Sequence, residues 1–405
     1  MTKHKAKKST IDGVLLAVAT VLIVYGLLAL YSATFYVGSS FWKRQLVWIA
    51  VGLAVAIAAY WIPYPFWQKI APILMLVNLL ALLITVVYAK PVLGATRGLI
   101  DLSSGERSLG GLFGLGSSVQ PGVLARLVTV IYVAAWLASK GEQLNQVKYG
   151  LIPFGMIIGL VGGLVFLQPD LSTMLLIVVT GVAMFFFAGG DPIQIALSGL
   201  VAGVPASLLV WNMEYARQRL EAHLASLKNP ELMHDHVRRS FQALAEGGVF
   251  GVGLGQGRLK FGYLPFPHTD SIFSVIGEEG GLIGCLVVLL LFLVFAYRGY
   301  RVTLSTPDAF GSLVAFGVTT MILTEVLLNI LVMIGIFPPT GTALPFFSYG
   351  GTQMLITLGG VGLLLGISRG KPKGDWDAVL DRWWRDGWAR LSGARHSTSP
   401  ARHRP

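Results

Sequence analysis

Residues 271–297 read SIFSVIGEEGGLIGCLVVLLLFLVFAY. The run is long enough to cross a bilayer, which takes about 20 predominantly apolar residues. It also carries two adjacent glutamates, Glu278 and Glu279, and follows directly on Asp270. A carboxylate at bilayer depth costs at least about 2.5–3.5 kcal/mol on insertion scales, so acids placed there are candidates for function. Nine more apolar runs of spanning length occur, near 11–34, 45–62, 70–89, 121–138, 150–167, 172–188, 193–212, 309–336 and 349–369. The expected fold class is all-α: a polytopic membrane protein of about ten transmembrane helices.

Composition agrees. The mean hydropathy is +0.68, 54% of residues are hydrophobic and only 13% are charged. The net charge of +11 is placed at the chain ends. Nine of the 31 Lys and Arg lie from Arg369 onward and four lie in the first eight residues, the pattern of segments held at an anionic inner leaflet. An even span count and the positive-inside rule put both termini in the cytoplasm. Lys140, Lys148, Arg298 and Arg301 keep the same bias in short loops. No basic stripe is interleaved with aromatics, so nucleic acid is excluded as a partner; membrane lipid is expected. The single Cys285 excludes disulfides and thiolate metal sites within one chain. The basic segment 1–10 enters a full-length span without a small-residue cleavage site and reads as a retained first helix.

Three regions lie outside the spans. Two external loops are expected, a Gly- and Ser-rich one at about 90–120 and a longer one at about 213–270, before span eight. In the longer one EYARQRLEAHLASL has helical apolar spacing and reads as an amphipathic helix at the membrane surface. The third region, 370–405, is a cytoplasmic tail. Trp376, Leu380, Trp383 and Leu391 fall near one helical face and predict an interfacial helix.

The polar points cluster at the outer ends. Asp270 precedes the first turn of span eight, where an acid can cap the helix or act chemically. Glu278 and Glu279 can pair with an arginine of the bundle or face a substrate. Gln168 and Asp170 in QPDLST, and Ser348 in GIFPPTGTALPFFSYGG, sit in breaks between spans where turn chemistry also accounts for them. Arg97, Arg126, Arg219 and Lys260 are external or near outer span ends, able to hold headgroups or a diphosphate or to snorkel. Glu325 and Asn329 are i,i+4 within span nine and suit interhelical hydrogen bonding. These residues describe an outward-facing polar cavity, suited to an anionic lipid-linked substrate or to a transporter vestibule; spacing alone serves both.

Four motifs in order carry a resemblance. LPFPHTDSIFSVIGEEGGLIG (264–284) resembles the LPE-x-HTDFIFAVIGEE-x-G block of the SEDS family (shape, elongation, division and sporulation; RodA/FtsW/SpoVE-type). QPDLST resembles its QPDLGT, GIFPPTGTALPFFSYGG its GxLPxTGxPLPFxSYGG, and GGVFGVGLGQGRLKFGYLP the stretch leading into the acid block. The resemblance covers about residues 14–369. It implies a peptidoglycan glycosyltransferase that polymerises lipid II beside a class B penicillin-binding protein. It implies Asp270 as catalytic base. Arg97, Arg126, Arg219, Lys260, His268, Thr269, Glu278, Glu279, Gln168, Asp170 and Ser348 become candidates for substrate binding. A divalent cation, Mg or Mn, is a candidate for the diphosphate. A lipid II flippase and a non-catalytic partner of a cell-wall synthase are the other readings. Departures exist: Val123 and Phe266 stand where the family has Glu, Arg126 where it has Lys, and Gly98 follows Arg97 where it has Trp.

Overall fold

The computed structural model describes residues 11–36, 40–88, 120–194, 214–229 and 233–370, with a few isolated positions between 194 and 214. Every regular element among them is helical. Nine helices match expected spans: α1 (Gly13–Thr34), α2 (Ser40–Trp61), α3 (Tyr64–Tyr88), α4 (Pro121–Lys140), α5 (Ile152–Phe166), α6 (Leu171–Phe187), α9 (Ile272–Ser305), α10 (Ala309–Met333) and α11 (Gly351–Ser368). Between α6 and α9 lie two helices of the long loop, α7 (Glu214–Lys228) and α8 (Asp235–Gly247). The first matches the amphipathic segment; the second was not expected. Most of the span at 193–212, the loop at 90–119 with Arg97, and the tail helix lie outside the described residues.

Local chemistry sets several boundaries. Asp12 accepts from Leu15 N (2.9 Å), Asp170 from Thr173 N (3.0 Å) and Asp308 from Gly311 N (3.0 Å), capping α1, α6 and α10. Proline at the first position of α4 forgoes an N–H that would have no partner there. The middle of the bundle is α10 and α11. Of their most apolar stretches 67% and 78% are buried, against 28% for α2 and α3, which expose their remaining faces as lipid-facing helices do. The most extensive packing is α11 on α2; α10 packs on α4, α6 and α9, and α1 and α8 on α9.

The expected span at 271–297 runs on to Ser305 but is broken. Gly281 has φ 63° and ψ −163°. Freed backbone groups at membrane depth need partners, and residues 248–253 supply them. Val252 N and Gly253 N donate to Glu278 O and Glu279 O (3.0 Å each), while Leu282 N and Ile283 N donate to Gly248 O (2.9 Å) and Val249 O (3.2 Å). Only glycine fits at 281: a Cβ there would lie 2.4 Å from Gly251 N. At the opposite end of α9, Arg298 grips Asp12 with Nη2–Oδ2 at 2.6 Å, and Asp12 N donates to Ser368 Oγ (3.4 Å). The start of α1 and the end of α11 therefore meet at one end of the bundle, and Asp270 lies beyond the other end of α9.

Candidate functional site

Asp270 stands in a turn, 265–271, that two loops and two helices hold in place. Thr269 N and Ser271 N both donate to Phe266 O, at 3.1 and 3.3 Å. The break between α10 and α11 clasps the same turn. Ser348 Oγ donates to Thr269 O (2.7 Å) and accepts from Leu344 N (2.7 Å), while Tyr349 N donates to His268 O (2.8 Å). From α10, Asn329 Nδ2 donates both to Asp270 O (2.9 Å) and to Thr342 O (2.7 Å), joining the two segments. The expected LPFPHTD and GTALPFFSYGG stretches are thus one unit.

The carboxylate of Asp270 is not a helix cap. Ser271 occupies the N-cap position of α9, and its side chain makes no cap bond. The carboxyl group is partly buried against Gly341, where a Cβ would lie 3.4 Å from Oδ2. Burial raises its pKa from 3.8 to about 6, with the Arg219 guanidinium and the Thr269 hydroxyl opposing. Arg219 comes from α7, and its Nη1 donates to Pro339 O (2.8 Å). His268 lies against the Phe41 ring (centroids 4.7 Å apart), and burial lowers its pKa. Ser172 Oγ reaches Thr340 O, tying the QPDLST break to the same loop. Asp270, Arg219, His268, Thr269 and Ser348 therefore belong to one site.

The other candidates are placed elsewhere. Gln168 is buried and donates to Thr85 Oγ1 (2.8 Å) and Leu82 O (3.1 Å) of α3; Asp170 is the cap of α6. Arg126 is buried in the bundle and paired with Glu325. Its Nη1 also donates to Gln353 Oε1 (3.1 Å) and its Nη2 to Thr173 Oγ1 (2.8 Å). Gln353 Nε2 donates to the second Glu325 oxygen at 2.6 Å, so the network closes on itself. Lys260 is fully buried rather than external. Its ammonium group contacts Glu279 Oε1 (2.5 Å), Ser32 Oγ (3.1 Å) and Gly255 O (3.0 Å). Among the described residues Glu278 takes no arginine side chain either: its Oε1 accepts from the backbone, Leu259 N (3.0 Å) and Arg258 N. These acids hold the broken part of α9 to the loop that fills it. Sequence reading missed His236 and Ser271 beside Asp270, because nothing in their spacing marks them.

Among the described residues no group of three or more His, Cys, Asp or Glu side chains converges to hold a metal ion. The site offers one carboxylate, fewer donors than a closed all-protein metal centre uses, and no step below is routed through a metal.

These features define an integral membrane protein whose many helices carry, beyond one end of the bundle, a clasped and partly buried carboxylate with a cation beside it. The family model described as cell cycle protein, for FtsW, RodA and SpoVE, matches residues 12–373, and the chain belongs to that family. Stage V sporulation protein E of Bacillus subtilis (strain 168) is 34% identical over 371 residues, covering 90% of this chain and 98% of that one. The probable peptidoglycan glycosyltransferase FtsW of Trichlorobacter lovleyi is 34% identical over 368 residues, covering 89% and 93%. Among solved structures, a chain from a peptidoglycan synthase complex that coordinates polymerization and crosslinking superposes with a TM-score of 0.73 at 25% identity, covering 90% of this chain and 99% of that one. The Thermus thermophilus rod shape determining protein RodA gives 0.66, also at 25%.

Proposed function

We propose that the chain is a peptidoglycan glycosyltransferase that polymerises lipid II on the outer face of the cytoplasmic membrane, with both termini in the cytoplasm. Family membership and the relatives named as glycosyltransferases support the activity. The observation that carries the mechanism is the Asp270 carboxyl group, on a turn whose backbone carbonyls Asn329 and Ser348 hold, with a pKa moved up to about 6. A general base works best with a pKa near the operating pH. In this reading the acceptor sugar hydroxyl attacks the anomeric carbon of the donor. The new C–O bond forms as the bond to the lipid diphosphate breaks, and the hydroxyl proton passes to Asp270. The diphosphate leaves with its electron pair, and Arg219, the cation at the site, stabilises its charge. The basic ends and anionic lipid set the orientation. A class B penicillin-binding protein is the proposed partner, supported by the likeness to a synthase complex.

The test is polymerisation of lipid II by purified protein in liposomes, read as glycan chain length, alone and with the partner synthase. Asp270→Asn keeps the shape and removes the base, so the rate should fall by about 10²–10⁴-fold. Wild-type polymerisation by this variant refutes the mechanism. Transfer of lipid II between leaflets without polymer, by the wild-type protein, replaces the reading with a flippase.

A further inference from the structure

Hydrogen bonds join the helices of the long loop to the segments around Asp270. One is Arg219 at Pro339 O; another is made by His236, in the first turn of α8. Its Nε2 lies 2.6 Å from Ser271 Oγ. Ser271 has no exposed surface, and its Oγ is also 2.8 Å from Pro265 O. The directions of these bonds follow from the groups. A carbonyl only accepts, so the single hydroxyl proton of Ser271 goes to Pro265 O. Ser271 Oγ must then accept from the imidazole, and Nε2 carries the hydrogen. The result is a directed chain from His236 Nε2–H to Ser271 Oγ–H to Pro265 O.

That chain closes a turn that does not hold itself. Phe266 has φ 49°, a left-handed conformation that a bulky side chain adopts only when its surroundings impose it. Phe266 is itself largely exposed, so its own packing cannot impose the conformation. Thr269 N also donates to Phe266 O, and Tyr349, Ser348 and Asn329 hold the carbonyls of His268, Thr269 and Asp270; the far side of the turn is closed at Ser271, by its amide on Phe266 O, its hydroxyl on Pro265 O and the histidine behind it. Asp270 is the residue between Thr269 and Ser271, so this closure acts together with the Asn329 and Ser348 bonds in directing its carboxylate. The ring is neutral at neutral pH. Burial lowers the His236 pKa to about 4, with His234 and Arg219 acting in the same sense and Asp235 opposing. A neutral ring with its hydrogen on Nε2 is the form the chain requires, and it brings no second positive charge to the acceptor's proton.

We infer that His236 is a positioning residue for glycosyl transfer, aiming the Asp270 carboxylate through Ser271. The inference rests on Asp270 being the base. A group 1 Å out of place costs about 10²-fold in rate even when the chemistry is intact. In the liposome assay with lipid II, His236→Ala should lower kcat by about 10- to 100-fold while KM stays within about twofold, since no contact to substrate is lost. His236→Gln, whose amide N–H can reach Ser271 Oγ, should recover kcat to within about threefold of wild type. Ser271→Ala should match His236→Ala, and the double variant should fall no further, because both cut the same chain.

A purely structural bond between α8 and α9 predicts lower thermal stability with wild-type kcat at low temperature; that result overturns the inference. So does a His236→Gln protein no faster than His236→Ala. If His236→Ala fails to fold, Ser271→Ala decides, and wild-type kcat there overturns the inference. Asp270→Asn runs alongside. An active Asp270→Asn removes the base reading itself. An inactive Asp270→Asn beside fully active His236→Ala and Ser271→Ala leaves the base in place and removes only the positioning role.

Discussion

The pair of Lys260 and Glu279 gives the sharpest stability test. Lys260 has no exposed surface and Glu279 has 4%. All three ammonium protons have acceptors: Glu279 Oε1, Ser32 Oγ and Gly255 O. The group also sits 4.9 Å from the Phe35 ring centroid and 5.5 Å from that of Phe261. Lys260→Met leaves a buried carboxylate with Ser32 as its hydrogen-bond donor, bonded at 2.6 Å. Removing one partner of such a pair costs about 3–5 kcal/mol, because an uncompensated charge stays in a low dielectric. Glu279→Gln should cost a similar amount by stranding the ammonium. Replacing both, Lys260→Met with Glu279→Leu, removes both desolvation penalties and should recover most of the loss. Unfolding in detergent micelles, followed by helix content, should therefore rank the double variant above either single one. A double variant as unstable as the sum of the singles refutes this account, as does a loss below about 1 kcal/mol for either single substitution, the range of exposed pairs.

The raised pKa of Asp270 sets a pH dependence in two observables. As a base it must be ionised, so polymerisation should fall as pH drops below about 6. The unfolded carboxyl titrates near 4, so its contribution to stability is greatest below that value and declines as pH rises through about 6. Asp270→Asn should thus stabilise the fold at pH 8, by up to about 3 kcal/mol, and leave it unchanged near pH 4. A separate test concerns helix packing. A Cβ on Gly362 of α11 would lie 2.3 Å from Ala56 O of α2, so Gly362→Ala should destabilise by about 1–3 kcal/mol. Gly155→Ala, where a Cβ meets nothing within 4 Å, should be neutral or stabilising in the same unfolding assay.

The sequence made much of the fold legible because a bilayer permits few solutions. Apolar runs of spanning length place nine helices to within a few residues of the observed ends, save at the starts of α2 and α3, which lie further upstream, and at the inner end of α9. QPDLST was read as a turn, and within it Asp170 caps α6. The site was half legible. The turn at Asp270 and the loop at Ser348 stood out as polar breaks, and they are indeed bonded together. What failed was depth. Lys260 reads as an external cation because it follows a Gly-rich loop, and no local pattern says that this loop folds back into a broken helix. Gly280 and Gly281 inside an apolar run look like a tolerated pair, since the partners that satisfy the break are about 30 residues away. Helix α8 was available in principle: Val237, Ser240, Ala243 and Gly247 recur at helical spacing and are buried.

The break at Gly281 divides α9 into parts with different allegiances. Below it, the helix is bolted to the first and last spans through Asp12, Arg298 and Ser368. Above it, the stub from Ile272 to Gly280, about 13 Å long, is bonded to residues 248–253 and pressed backbone to backbone on α8, where a Cβ on Gly247 would lie 1.9 Å from Gly277 O. The stub is therefore tied both to the long loop and, through Ser32 on Glu279 and Asn329 on Asp270 O, to the spans α1 and α10. Asp270 at its tip is thus braced from two sides, and its position is fixed jointly by the helices of the long loop and by α1 and α10.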